Sequence, residues 1–124
     1  MSFSFLDNMY CGAIRRGDVV LYEEEPREER AYVALQDTTL NETLGTIVCV
    51  GIEPTEDHGR SRITEVVLKK NETGLGKDGL CVLSRIMPID RRFIVAKKAE
   101  LHPELFQKLL QALDIVLGRF RDRA

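Results

Sequence analysis

Two histidines, His58 and His102, are the side chains in this sequence whose ordinary titration falls near neutrality, where acid–base chemistry operates. His58 lies in the polar stretch EDHGRSR, where it reads either as a proton carrier or as a solvent-exposed loop residue. His102 directly precedes Pro103 and is placed to cap a helix. The two are far apart, with no clustered Cys or carboxylate partners, so no metal site is expected. Cys11, Cys49 and Cys81 are odd in number, widely spaced and free of any CxxC pair. They read as free thiols, with Cys49 and Cys81 in apolar runs that mark them as core. Gly74-x-Gly76 lacks the Gly-Lys-Ser/Thr of a phosphate loop, and Lys77-Asp78 reads as a turn. Nothing in the sequence calls for a cofactor.

These side chains have to be held by short strands. VVLY at 19–22 and AYVAL at 31–35 bracket an acidic, Pro-containing stretch, EEEPREE, too charged to pack and therefore a loop. LGTIVCVGI at 44–52 is β-branched and continuously apolar, the mark of a buried central strand. After a polar loop over 53–62 come a strand over 63–68, a glycine-rich turn over 69–79, a strand over 80–86, a turn at 88–90 and a last strand over 92–96. From Pro103 the period changes. Leu105, Leu109, Ala112, Leu113 and Val116 recur at three- and four-residue steps, with Phe106, Leu110 and Leu117 widening the stripe, so the chain is to end in an amphipathic helix stopped near Gly118.

Strands first and a helix last describe an antiparallel α+β fold, mostly β, curled into a small barrel. At 124 residues there is room for one domain, here 14–124, preceded by an N-terminal extension over 1–13 whose aromatic and aliphatic residues suit packing on the barrel or on a second subunit, or else disorder. No run is long enough to span a bilayer and the N-terminus lacks a secretory pattern, so a cytoplasmic location and no membrane partner are expected. A formal charge of -2 argues against a surface that coats nucleic acid throughout, while leaving room for a local basic groove.

Several strings, in this order, resemble the PemK/MazF family of toxin–antitoxin ribonucleases. They are Arg16-Gly17-Asp18-Val19 opening the first strand, the acidic loop ending in Arg30, Thr46-Ile47-Val48, Glu65-Val66-Val67-Leu68 leading to the segment GLGKDG at 74–79, and LSRIMPIDRR at 83–92. The last is similar to the family's Q-I-R-T-I-D-K-R-R strand and turn. The similarity covers about residues 14–118. It implies an SH3-like barrel of the CcdB/PemK type and metal-independent cleavage of single-stranded RNA by a neighbouring 2′-hydroxyl. That chemistry removes one proton, donates another and stabilises a crowded phosphate.

By position, the resemblance assigns Arg30 to the phosphate and Glu25 to the acidic role. The family's Arg-Pro becomes Arg30-Ala31, its Thr falls on Glu53 with Thr55 two residues on, and its Gln falls on Arg85. Glu53 as a base, or Thr55 curling into the usual place, both remain open. A solvated face is the alternative for Glu25, and pairing with Glu28 or Glu29 for Arg30. Arg60, Arg62, Lys69, Lys70, Arg85, Arg91 and Arg92 can line an RNA groove if their strands face one way, with Tyr32 and Phe93 as stacking candidates that also suit a core. The implied partners are single-stranded RNA, a cognate antitoxin with an acidic segment, and a second copy in a homodimer. Two other readings keep the fold: a catalytically degenerate module that binds RNA or protein, and a CcdB-like gyrase poison.

Overall fold

A computed structural model describes residues 9–25, 28–55, 62–119 and 121. Seven strands and three helices follow one another: β1 (Asp18–Glu23), β2 (Glu29–Ala34), α1 (Thr38–Thr43), β3 (Thr46–Pro54), β4 (Glu65–Leu68), α2 (Lys70–Thr73), β5 (Gly79–Val82), β6 (Met87–Asp90), β7 (Ile94–Glu100) and α3 (Pro103–Val116). All pairings are antiparallel, in the order β4-β5-β3-β2-β1-β7, with β6 also on β3. The first strand therefore pairs with the last. The long central strand β3 carries β6 along Thr46 to Cys49 and β5 at Glu53 and Pro54.

Both faces of this sheet are covered, which is why β1 is buried at consecutive positions rather than alternate ones. One face packs Val19, Val33, Val50, Ile52, Leu68, Cys81 and Leu83 against Phe106, Leu109 and Ala112 of α3. The other gathers Val20, Tyr22, Tyr32, Ala34, Ile47, Cys49, Ile89 and Ile94, with Tyr10 and Phe93 against it. Tyr10 also donates its backbone N–H to the Ile94 carbonyl at 2.7 Å, fixing residues just ahead of the barrel. Helix α3 starts as its sequence dictates: Pro103 occupies the first turn and His102 accepts the Glu104 N–H at 3.3 Å. It ends before Gly118, which has φ +68°. Leu117, counted in the apolar stripe, is exposed.

Several expected boundaries are corrected. There are seven strands, not six, because 88–90 is not a turn: β6 includes Pro88, tolerated where a strand is paired on one side only. The strand expected over 80–86 stops at Val82 and continues as a single 3₁₀ turn, Leu83–Arg85. A second 3₁₀ turn, Arg91–Phe93, capped by the Asp90 carboxylate, delays the last strand to Ile94. Helix α1, between the strands expected at 31–35 and 44–52, has no counterpart among the expected elements; Asp37 caps it by accepting the Thr39 N–H at 3.1 Å. Helix α2 lies within the expected glycine-rich turn and is closed by Gly74 at φ +73°. Strand β3 runs on through Glu53, which the sequence reading placed in a loop.

Candidate active site

Where β3 passes from β6 to β5, the chain between those two strands leaves the sheet as the 3₁₀ turn Leu83–Arg85, and a groove of about 560 Å³ opens beside it. Leu21, Ala31, Tyr32, Ile52, Val82 and Met87 contribute apolar surface. The charged residues around it are Glu29, Arg30, Glu53, Lys77, Asp78 and Arg85. Strand register explains the central pair of positions. Ala31 faces Ile52 and Tyr32 faces Gly51, so one step further sets Arg30 opposite Glu53 on the sheet face that carries Tyr32.

The guanidinium of Arg85 reaches across to Glu53, Nη1 to Oε1, at 3.4 Å, with both side chains largely in solvent. The exposed Arg30 forms no ion pair among the described residues and is the groove's uncommitted fork of donors. Beneath Glu53 the Cys81 thiol is pushed up to about 12, chiefly by burial and further by the Glu53 carboxylate, which keeps it inert. Asp78 braces one wall: its carboxylate accepts the Lys70 N–H at 2.8 Å, and its carbonyl accepts the Thr55 N–H at 3.0 Å.

Arg30 also borders a second, smaller hollow of about 80 Å³, shared with Tyr22, Glu24, Glu25 and Glu28. Tyr22 stands opposite Arg30 in the β1–β2 register and points its hydroxyl at Glu24 Oε2, 3.4 Å away. Burial, reinforced by Glu24, raises the Tyr22 hydroxyl above its ordinary value, so it stays a proton donor at neutral pH. A carboxylate and an arginine thus meet at one spot, the minimum for moving a proton beside a phosphate.

Of the residues singled out in the sequence, the groove gathers Arg30, Glu53 and Arg85, and the adjoining hollow brings Glu25 to Arg30. Thr55 is half-buried one residue beyond β3, and neither it nor Arg62, Lys69 or Lys70 lines the groove. Arg91 is turned elsewhere, donating to the Gly12 carbonyl at 2.8 Å, and Arg92 pairs with Asp90 at 2.6 Å and stacks over Phe93. Arg60 and His58 lie outside the described residues, as do residues 1–8 of the N-terminal extension. Tyr32 is buried in the core, as one of its two readings expects, and it also borders the groove. Lys77, read as a mere turn residue, is a groove cation; a basic side chain at the tip of a glycine-rich loop before a strand was the signal for it.

Residues 15–117 match the family described as PemK-like, MazF-like toxin of type II toxin-antitoxin system. The endoribonuclease MazF of Staphylococcus epidermidis is 30% identical over 112 residues, covering 85% of this chain and 92% of that protein. Among solved structures, an endoribonuclease in complex with its cognate antitoxin from a mycobacterial species superposes with a TM-score of 0.70 at 19% identity, covering 84% of this chain and 94% of that one. A MazE–MazF structure from Deinococcus radiodurans gives 0.70 at 16% identity, covering 86% and 97%. The fold and the match along most of its length agree: this chain belongs to the PemK-like, MazF-like toxin family.

Proposed function

We propose that this protein is a MazF-like toxin, a metal-independent endoribonuclease that cuts single-stranded RNA laid in the groove between β2, β3 and the Leu83–Arg85 turn. The observation that carries the reading is Arg30, uncommitted to any ion pair among the described residues and flanked by an apolar groove on one side and a carboxylate hollow on the other. Arg30 forks two donors onto the phosphate as negative charge builds on it. Glu25 takes the 2′-hydroxyl proton as that oxygen attacks phosphorus, and the departing 5′-oxygen collects a proton from a donor at the same site. Glu53, held by Arg85, contacts the RNA rather than carrying the proton, and Lys77 adds charge along the strand. Thr55 acts through its backbone, steadying the wall that Asp78 braces.

The protein works as a cytoplasmic homodimer silenced by a cognate antitoxin, whose acidic segment competes for the cations that attract phosphate. A mycobacterial endoribonuclease of the same fold is solved in complex with its cognate antitoxin, and no helix among the described residues is long and apolar enough to cross a membrane. Incubating the protein with a long unstructured RNA in EDTA and mapping the fragment ends tests the reading. Discrete cuts at one short sequence are expected, with Arg30→Ala slowing them about 10²–10³-fold, the usual cost of losing a charge-stabilising donor. RNA left intact by folded protein, or cuts unaffected by Arg30→Ala, would remove the mechanism.

A further inference from the structure

We propose that the Glu53–Arg85 pair reads a guanine base next to the phosphodiester that Arg30 holds. The proposal rests on the RNA reading of the groove and adds to it a base identity.

The two side chains are 62% and 70% exposed, so their contact contributes little to the stability of the fold. Its place in the groove is what sets it apart. The pair touches end-on, through Arg85 Nη1 and Glu53 Oε1 alone. Among the described residues, the second carboxylate oxygen and the rest of the guanidinium have no ion-pair partner. Read along the contact, the pair offers a row of atoms that accept, accept, donate and donate. Guanine alone among the four bases carries the complement in one run along its edge: N2–H and N1–H donate, and O6 and N7 accept. Glu53 takes the two N–H groups while Arg85 donates to O6 and N7.

The other bases fit less well. Cytosine meets the row with one donor and two acceptors, leaving a carboxylate oxygen unused. Uracil and adenine alternate acceptor, donor, acceptor, so one of their acceptors opposes the carboxylate. Ile52, Val82 and Met87 supply apolar surface for the face of the base. Because Arg30 stands opposite Glu53 when the β2–β3 register is continued, a base on this pair belongs to a nucleotide flanking the phosphate at Arg30.

The test is binding of the full-length protein to four fluorescent seven-nucleotide strands, all 2′-deoxy so that none can be cut, with uracil at every position except a central G, C, A or U. The expected order is G over C over A and U, with G at least about tenfold tighter than U, in keeping with one well-formed bidentate contact. Glu53→Gln and Arg85→Gln, both at exposed positions, should each flatten the preference while retaining the unfolding midpoint of the parent. Equal binding of all four strands, or C bound as tightly as G, would overturn the guanine assignment and leave the RNA reading standing. Failure of the folded protein to bind any strand would overturn the RNA reading and this assignment together.

Discussion

At the scale of single residues, burial separates three chemically identical thiols. Cys49 and Cys81 are both pushed up to about 12 by burial, whereas Cys11 is exposed. At pH 8 a thiol reagent should therefore modify Cys11 alone in the folded protein and all three after unfolding, which mass spectrometry reads directly. The core role of Cys49 and Cys81 was legible in the sequence because each sits in an unbroken apolar run. Arg30 was legible only through the family resemblance, by its position at the end of the acidic loop. Which of Glu53 and Thr55 faces the groove was not legible, since it turns on where a strand ends. Strand β3 extends to Pro54 and its register puts Glu53 on the groove face, while Thr55 falls beyond it. Lys77 escaped notice because a turn residue has no periodicity to betray the direction of its side chain.

At the scale of elements, the strands and α3 could be read from apolar periodicity, and the short pieces could not. Helix α1 is made of TTLNET, residues of weak helical preference that are held by the Asp37 cap and by buried Asn41, whose amide donates to the Ile14 carbonyl at 3.0 Å. Strand β6 looked like a turn because of Pro88, and only its partner β3 makes it a strand. The seam between β1 and β7 holds a further dependence on tertiary context. Asp18, 2% exposed, accepts the Arg15 N–H at 2.7 Å and pairs with Lys97 at 3.4 Å. Lys97→Ala leaves that carboxylate without its cation and should cost about 1–3 kcal/mol in urea unfolding. The hydrogen bond to Glu100, aided by Asp18, raises the Lys97 ammonium above 10.5. A raised value in the folded state means that the contribution is complete below pH 10.5 and fades as pH climbs past the folded value. The gap between parent and variant should accordingly close in strong alkali.

At the scale of the whole molecule, a net charge of -2 is compatible with the groove proposed to take a polyanion, in which the charges are mixed. Arg30, Lys77 and Arg85 share it with Glu29, Glu53 and Asp78. With three cations available, the slope of log affinity against log salt for single-stranded RNA should be no steeper than roughly -2, at about -0.7 per neutralised phosphate. Titrations between 50 and 200 mM salt would measure it, and a much steeper slope would mean that cations outside the groove bind the strand. The pairing of β1 with β7 bears on when such a protein becomes active. The first strand finds its outer neighbour only after residues 94–100 exist, and Arg30, Glu53, Lys77 and Arg85 are scattered along the stretch between. Such distant pairings make for slow folding, in the millisecond-to-second range typical of barrels rich in non-local contacts. On the ribosome, the sheet that frames the groove cannot close until most of the polypeptide has left the exit tunnel, so under the proposed function an incomplete chain would leave the message that encodes it uncut.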